Sequence, residues 1–378
     1  MKAIVNGNII TEQGILKNHV IIFDENITAI LPKEQLAEYP LTEEIDGLGR
    51  YVSPGFIDVH VHGCGGFDTM DADKDALENI GKEVLQTGVT SFLPTTMTMP
   101  LGEINQTIER IRQAMEKGTG AEVLGCHLEG PFINEVYKGA QDKQYIRIPK
   151  LDEINNYFDV IKIITIAPEM LDNDNFIQAC VAQGVVVSIG HSNATYEQAM
   201  LAIKAGASHL THTFNALPPL HHRKPGAIGA AMDSDVICEL IADNVHVHPA
   251  MQRLLLRVKG VEKIILITDA MRASLLGEGE YDLGGQQVTV AKGEARLAEG
   301  VIAGSVLSLN KAVKNFMDNT GLDIVKAVQL VTINPAKQIG VSANKGSITI
   351  GKHADLIIFD DNLEVFVTIV RGNVLYRR

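Results

Sequence analysis

Two textures of apolar and polar positions divide this chain. Near the N-terminus, short apolar runs at 3–5, 8–11, 19–23 and 27–31 are separated by Asn-Gly and Asp-Glu-Asn turns. Such runs bounded by turn residues predict β-strands. The C-terminus repeats the texture at 346–351, 354–359 and 365–370, with Arg371-Gly372-Asn373 as a hairpin turn. Neither end is long enough for a core of its own. The pattern therefore predicts that 1–53 and 344–378 pair into one small β-sandwich, with the rest of the chain inserted between them.

The inserted stretch, 54–343, has a different period. Helical spacing over 74–86 stops at Gly88 and gives way to an apolar run at 89–96. The same unit recurs as 101–117, Gly120 and 123–129; as 175–183, Gly184 and 185–191; as 194–204, Gly206 and 209–212; and as 249–259, Gly260 and 263–269. A glycine just past a helix takes the left-handed conformation that ends it at little cost. Repeated helix–Gly–strand units joined by short loops demand parallel strands with crossover helices. Adding 52–62, 161–167 and 236–242 gives eight strands, the number of a closed α/β barrel of the (β/α)8, TIM-like kind. An open doubly wound sheet is the competing architecture. It would carry a glycine-rich phosphate loop, and Gly63-Cys64-Gly65-Gly66 lacks the required spacing.

Five of these apolar runs end in a residue able to bind a metal. His60 and His62 follow Pro54-Gly55-Phe56-Ile57-Asp58-Val59, and residues i and i+2 of a strand point the same way. Glu129 stands in His127-Leu128-Glu129-Gly130-Pro131-Phe132, where Gly-Pro breaks the strand. His191 lies in Gly190-His191-Ser192-Asn193, His212 in Thr211-His212-Thr213-Phe214-Asn215, and Asp269 after Ile264-Ile265-Leu266-Ile267-Thr268. An ionisable group at the tip of a buried strand costs desolvation unless something pairs with it. Taken singly, each has an ordinary structural explanation, such as a core histidine or a capping aspartate. Together they predict a shared cation at the C-terminal rim of the barrel, where such folds place catalysis. Imidazole and carboxylate suit zinc or iron first, and manganese, cobalt and nickel also accept them. Asp269 is the candidate base.

Composition narrows the field. The formal net charge of −13 argues against nucleic-acid or anionic-membrane partners, whose binding depends on cationic surfaces. The four cysteines show no CxxC spacing and read as reduced thiols of a cytoplasmic protein. No signal peptide is evident and no run approaches the ~20 apolar residues of a membrane span, so a soluble protein is expected.

These motifs resemble the amidohydrolase superfamily and, within it, the N-acetylglucosamine-6-phosphate deacetylase family. The resemblance is carried by the blocks already quoted, by Ala242-Asp243-Asn244-Val245-His246-Val247, and by Thr268-Asp269-Ala270-Met271. Ile302-Ala303-Gly304-Ser305, Asn334-Pro335-Ala336 and Gly351-Lys352-His353-Ala354-Asp355-Leu356 extend it nearly to the end of the chain. The resemblance implies metal-dependent hydrolysis of N-acetyl-D-glucosamine 6-phosphate to glucosamine 6-phosphate and acetate. It further implies that Glu129, His191 and His212 bind the principal metal. His60 and His62, with Glu129 bridging, complete a second position, giving one or two ions per subunit. Asn215 and Ala216 would offer backbone N–H groups to the substrate phosphate and His246 would contact the sugar. Arg223 would reach the neighbouring subunit's site, which implies a homodimer. One departure is that after Lys138-Gly139 several relatives place a histidine that helps hold the substrate, where this chain has Ala140-Gln141; Gln141, the substrate-binding candidate there, can donate a hydrogen bond but no charge. A D-aminoacylase or cyclic-amide hydrolase would share the ligands but need no phosphate site. A barrel that had lost its chemistry would have shed ligands, and here every tip is present.

Overall fold

The computed structural model describes residues 1–118 and 120–378. Eight parallel strands form the central barrel: Phe56–Val61, Val89–Pro94, Cys126–Glu129, Ile161–Ile166, Val186–Ile189, His209–Leu210, Ile237–Ile241 and Ile264–Ile267. The first two pair with each other and the last six form a continuous ladder in chain order. Two bridges beyond the strand ends close the ring. Val61 pairs with Ala270 and Thr95 with His127, and the His62 N–H donates to the Ala270 carbonyl at 2.8 Å. The strands are buried along both faces, which is why they read as nearly unbroken Val, Ile and Leu.

Closure places every strand's C-terminal tip on one rim. Three tips leave their strands with backbone dihedrals that side chains rarely adopt: φ is +47° at His191, +26° at His212 and +51° at Asp269. Such conformations cost on the order of 1–3 kcal/mol each and persist only where surrounding structure enforces them. Their concentration on one rim marks that rim as the functional end. At Gly130, φ is +71° and an added Cβ would stand 2.0 Å from Thr98 Oγ1, so the turn after Glu129 requires glycine.

The chain ends form two sheets that sandwich a separate core. One holds Lys2–Val5, His19–Phe23, Ile27–Pro32 and Glu43–Asp46; the other combines Asn8–Thr11, Gly14–Leu16 and Tyr51–Pro54 with Leu356–Phe359, Val365–Val370 and Asn373–Arg377. Ile4, Ile21, Phe23, Val52, Leu356, Ile358 and Ile369 fill the space between them.

Three features depart from the expectations. The predicted strand over 52–62 is two strands, split at Gly55, where a Cβ would lie 2.1 Å from Thr90 Oγ1. The first half belongs to the sandwich and the second to the barrel. The expected strand over 346–351 is a turn instead. Gly346 has φ +83°, Ile348 still contributes to the sandwich core, and the Gly351 N–H donates to the Ile27 carbonyl. Finally, a three-stranded antiparallel sheet (Gly279–Leu283, Gln286–Ala291, Glu294–Leu297) follows the last barrel strand and packs on Met97, Met271 and Ala303.

Candidate metal centre

Glu129 is the hub of the rim. Its Oε1 lies 3.5 Å from His60 Nε2, 3.3 Å from His191 Nε2 and 3.1 Å from His212 Nε2. Its Oε2 lies 3.3 Å from His62 Nε2 and accepts a 2.9 Å hydrogen bond from Gln141 Nε2. Asp269 Oδ1 stands 3.4 Å from His60 Nε2 and 3.2 Å from His62 Nε2. All seven groups are buried. Two ligand triads share Glu129: one with His60 and His62, the other with His191 and His212.

The four imidazoles are oriented alike. Each turns Nε2 inward and Nδ1 toward an acceptor: the Glu239 carboxylate at 3.0 Å for His60, and the carbonyls of Thr95 at 3.2 Å, Tyr137 at 2.9 Å and Asn215 at 3.2 Å for His62, His191 and His212. An acceptor at Nδ1 fixes the proton there and leaves a lone pair on Nε2. Two of those lone pairs, on His191 and His212, then face each other at 3.1 Å. His60 Nε2 is buried with no hydrogen-bond partner among the described residues. Acceptors crowded together in a buried space are unfavourable unless a cation joins them.

Charge gives the same answer. Glu129, Glu239 and Asp269 bring a formal −3 below the protein surface when the imidazoles are neutral. One divalent ion leaves −1 and two leave +1, both nearer balance. Without metal the cluster draws protons. Burial lowers the basicity of His62, but its contacts with Asp269 and Glu129 outweigh that and raise it to about 9. Burial likewise opposes ionisation of Glu129, yet the facing His60 and His191 hold it well below the usual carboxylate range. The donor set fits a divalent ion such as zinc or iron.

The family model for the amidohydrolase family matches residues 51–375. The chain is 39% identical, over 97% of its length and 95% of the relative's, to N-acetylglucosamine-6-phosphate deacetylase of Bacillus subtilis (strain 168). It is 37% identical to N-acetylgalactosamine-6-phosphate deacetylase of Escherichia coli O157:H7, over 97% of both chains. The crystal structure of N-acetylglucosamine-6-phosphate deacetylase from Pasteurella multocida superposes with a TM-score of 0.94 at 33% identity, covering all of both chains. The chain belongs to the amidohydrolase family.

A cavity opens onto the Glu129 cluster. It measures about 240 Å³ and is lined by His62, Glu129, Gln141, His191, His212, Asn215, Ala216, His246 and Asp269, with Met97, Leu283 and Ile302 as an apolar wall. It is smaller than the ~300–1,000 Å³ of sites for drug-sized ligands, so it suits a compact substrate. A larger hollow of about 600 Å³ lies between sandwich and barrel, where Arg371 contacts both Glu25 and Glu122 at 2.6 Å, and none of the clustered rim histidines reaches it. The smaller cavity is the one with chemistry.

The residues expected to bind substrate are placed differently from one another. His246 lines the cavity with its Nδ1 held by Asp243 Oδ2 at 2.6 Å. Ala216 sits at φ +51° with its N–H donating to no backbone carbonyl among the described residues, while the Asn215 N–H already donates to the His212 carbonyl at 2.9 Å. Of the expected pair of phosphate donors, Ala216 is therefore the better placed. Gln141 lines the cavity and is tied on both sides, accepting from the Thr98 N–H at 2.6 Å and donating to Glu129, so it holds that carboxylate in place. Arg223 is exposed, its Nη1 donates to His222 Nε2 at 2.7 Å, and it is absent from the cavity lining of its own chain.

Sequence reasoning missed the layer beneath the rim. Glu239, fully buried, accepts from His60 Nδ1, from His209 Nε2 at 3.0 Å and from the His212 N–H at 3.1 Å. An acid inside Val236-Ile237-Cys238-Glu239-Leu240-Ile241-Ala242 was the available signal. His127 bonds the Val59 carbonyl and Thr165 Oγ1, and burial together with the nearby His60 pushes it down to about 3. Asp58 accepts from Thr268 Oγ1 at 2.6 Å, bracing the residue before Asp269, and burial pushes it up to about 7.

Proposed function

We propose that the protein hydrolyses the acetamide of N-acetyl-D-glucosamine 6-phosphate, releasing acetate and glucosamine 6-phosphate in amino-sugar metabolism. The observation that carries this reading is the Glu129-centred histidine cluster with Asp269 beside it, in a small cavity of a chain whose relatives are amino-sugar-phosphate deacetylases. His60, His62, Glu129, His191 and His212 would hold one or two divalent ions, zinc or iron first. When bound, these supply a Lewis acid for the acetyl carbonyl and lower the pKa of water from 15.7 toward ~7.

The chain's own residues do the rest. Asp269 takes a proton from the water that adds to the acetyl carbon. It then delivers that proton to the amide nitrogen as the C–N bond breaks, because the amine must leave neutral rather than as an anion. Proton transfer of this kind contributes about 10²–10⁴-fold. His246, fixed by Asp243, orients the sugar, and the Ala216 N–H meets the phosphate at a distance from the reacting carbon, lending position rather than chemistry. In this reading 54–343 carry the reaction, and 1–53 with 344–378 form an ancillary sandwich. We further propose a homodimer in which the exposed Arg223 enters the partner's cavity and adds the cation that its own cavity takes from elsewhere. The four buried free thiols suit the reducing cytoplasm.

Acetate release from N-acetylglucosamine measured with and without its 6-phosphate tests the proposal. Much faster turnover of the phosphorylated sugar is expected; equal rates would refute the phosphate site. The 37% identity to a galactosamine-type deacetylase, against 39% to the glucosamine-type enzyme of Bacillus subtilis, supplies a second reading, in which the C4 epimer is the better substrate. Comparing kcat/KM for the two epimers decides between them.

A further inference from the structure

Among the four rim histidines, one is anchored differently. His62, His191 and His212 rest their Nδ1 atoms on neutral backbone carbonyls, whereas His60 rests on the buried Glu239 carboxylate. We propose that Glu239 is the positioning residue that makes the His60/His62 position a metal site. This rests on the reading of the cluster as a metal centre, but not on the identity of the substrate.

Glu239 Oε2 accepts both the His60 Nδ1–H and the His212 backbone N–H, while Oε1 accepts His209 Nε2–H. A charged acceptor at Nδ1 locks the tautomer, aims the ring and makes Nε2 a stronger donor to a cation. It is also the charge that a second divalent ion needs. Without Glu239, two such ions among Glu129 and Asp269 would leave a buried formal charge of +2. The carboxylate further joins the two triads, since the same oxygen that orients His60 also fixes the backbone of His212.

Two substitutions separate its parts. In Glu239→Gln the amide oxygen can stay on His60 while the amide N–H₂ turns to His209, whose Nδ1 has no partner and can take the ring proton. That variant loses the charge and keeps the hydrogen bond. Glu239→Leu loses both. Outer partners of metal ligands are worth about 10–100-fold in metal affinity, so the weaker dissociation constant should rise about 10-fold in the first variant and about 100-fold in the second. The Glu129/His191/His212 position should move only a few-fold in both.

Chelator-stripped protein titrated with zinc in a calorimeter, with elemental analysis of the product, reads this directly. The expected result is two ions in the wild type and selective loss of one in the variants, recovered at excess zinc. Two ions bound as tightly by both variants as by the wild type would overturn the proposal, as would a wild type that takes one ion only. Should Glu239→Leu fail to fold, Glu239→Gln and the ¹⁵N spectrum of histidine-labelled, zinc-loaded wild type still decide. His60 should carry its proton on Nδ1, and a proton on Nε2 would overturn the assignment. A two-zinc protein inactive on acetylated sugar phosphates would sink the functional reading and leave this one standing.

Discussion

Asp269→Asn isolates the proton-transfer step. The aspartate is buried beside the cluster, with Oδ1 3.4 and 3.2 Å from the Nε2 atoms of His60 and His62, and its backbone is clamped on both sides. Its N–H donates to the His60 carbonyl at 2.9 Å and its carbonyl accepts from the Ser305 N–H at 2.7 Å. Asparagine keeps that clamp and the side-chain shape, so the loss should be chemical rather than structural. Removing a positioned base costs about 10²–10⁴-fold in kcat, which at 1.36 kcal/mol per decade is about 3–5 kcal/mol of transition-state stabilisation. KM should stay within a few-fold, because the proposed sugar and phosphate contacts come from other loops. Burial opposes ionisation of Asp269, but the facing His60 and His62 hold it below the ordinary carboxylate range. A positive metal in their place acts in the same sense. The wild-type acid limb of kcat/KM should therefore lie at low pH. Stopped assays of acetate release, run with metal analysis on the same samples, check this. Turnover within about tenfold of the wild type at normal metal content would refute the base assignment, since a positioned base contributes at least ~10²-fold.

Arg223→Ala should raise KM for the phosphorylated sugar with kcat little changed. Mixed with Asp269→Asn protein, it should regain activity through heterodimers carrying one intact cavity, and no recovery would argue against an arginine supplied by the partner. A second expectation concerns acid stability of the metal-free protein. His127 titrates near 3 when folded against about 6.5 when unfolded, so below about pH 6.5 the unfolded chain binds the extra proton. Stability is then lost as pH falls toward 3, by up to ~1.4 kcal/mol per pH unit from this group. Denaturant midpoints of His127→Gln between about pH 4 and 7 should show a flatter slope than the wild type, and identical slopes would contradict a buried neutral His127.

Much of the barrel is legible because its physics is local. Glycines such as Gly184, Gly206 and Gly260 stop helices, and an ionisable residue such as His191 or Asp269 abruptly ends an apolar run. These signals sit within a few residues of what they predict. The clustered rim residues share that property, since His60, His62, Glu129, His191 and His212 each stand at a recognisable strand end. What was not legible depends on partners far along the chain. Glu239 resembles an isolated acid in an apolar strand until His60, 179 positions away, is seen to bond it. The hold of Gln141 on Glu129 is likewise visible only once the two side chains are seen together. The sheet over 279–297 alternates buried and exposed positions as any hairpin does, and only its packing on Met97 and Met271 shows that it walls the cavity. Ile348 reads as part of a strand because burial alone produces an apolar position; the turn around it is set by Gly346 meeting Ala336.

The account stands on a cation held among Glu129 and the four rim histidines. Protein stripped with a chelator and assayed on N-acetylglucosamine 6-phosphate should lose nearly all turnover and regain it as zinc or iron is returned, in step with the ions bound. Metal-free protein that hydrolyses this substrate as fast as the reloaded protein would contradict it.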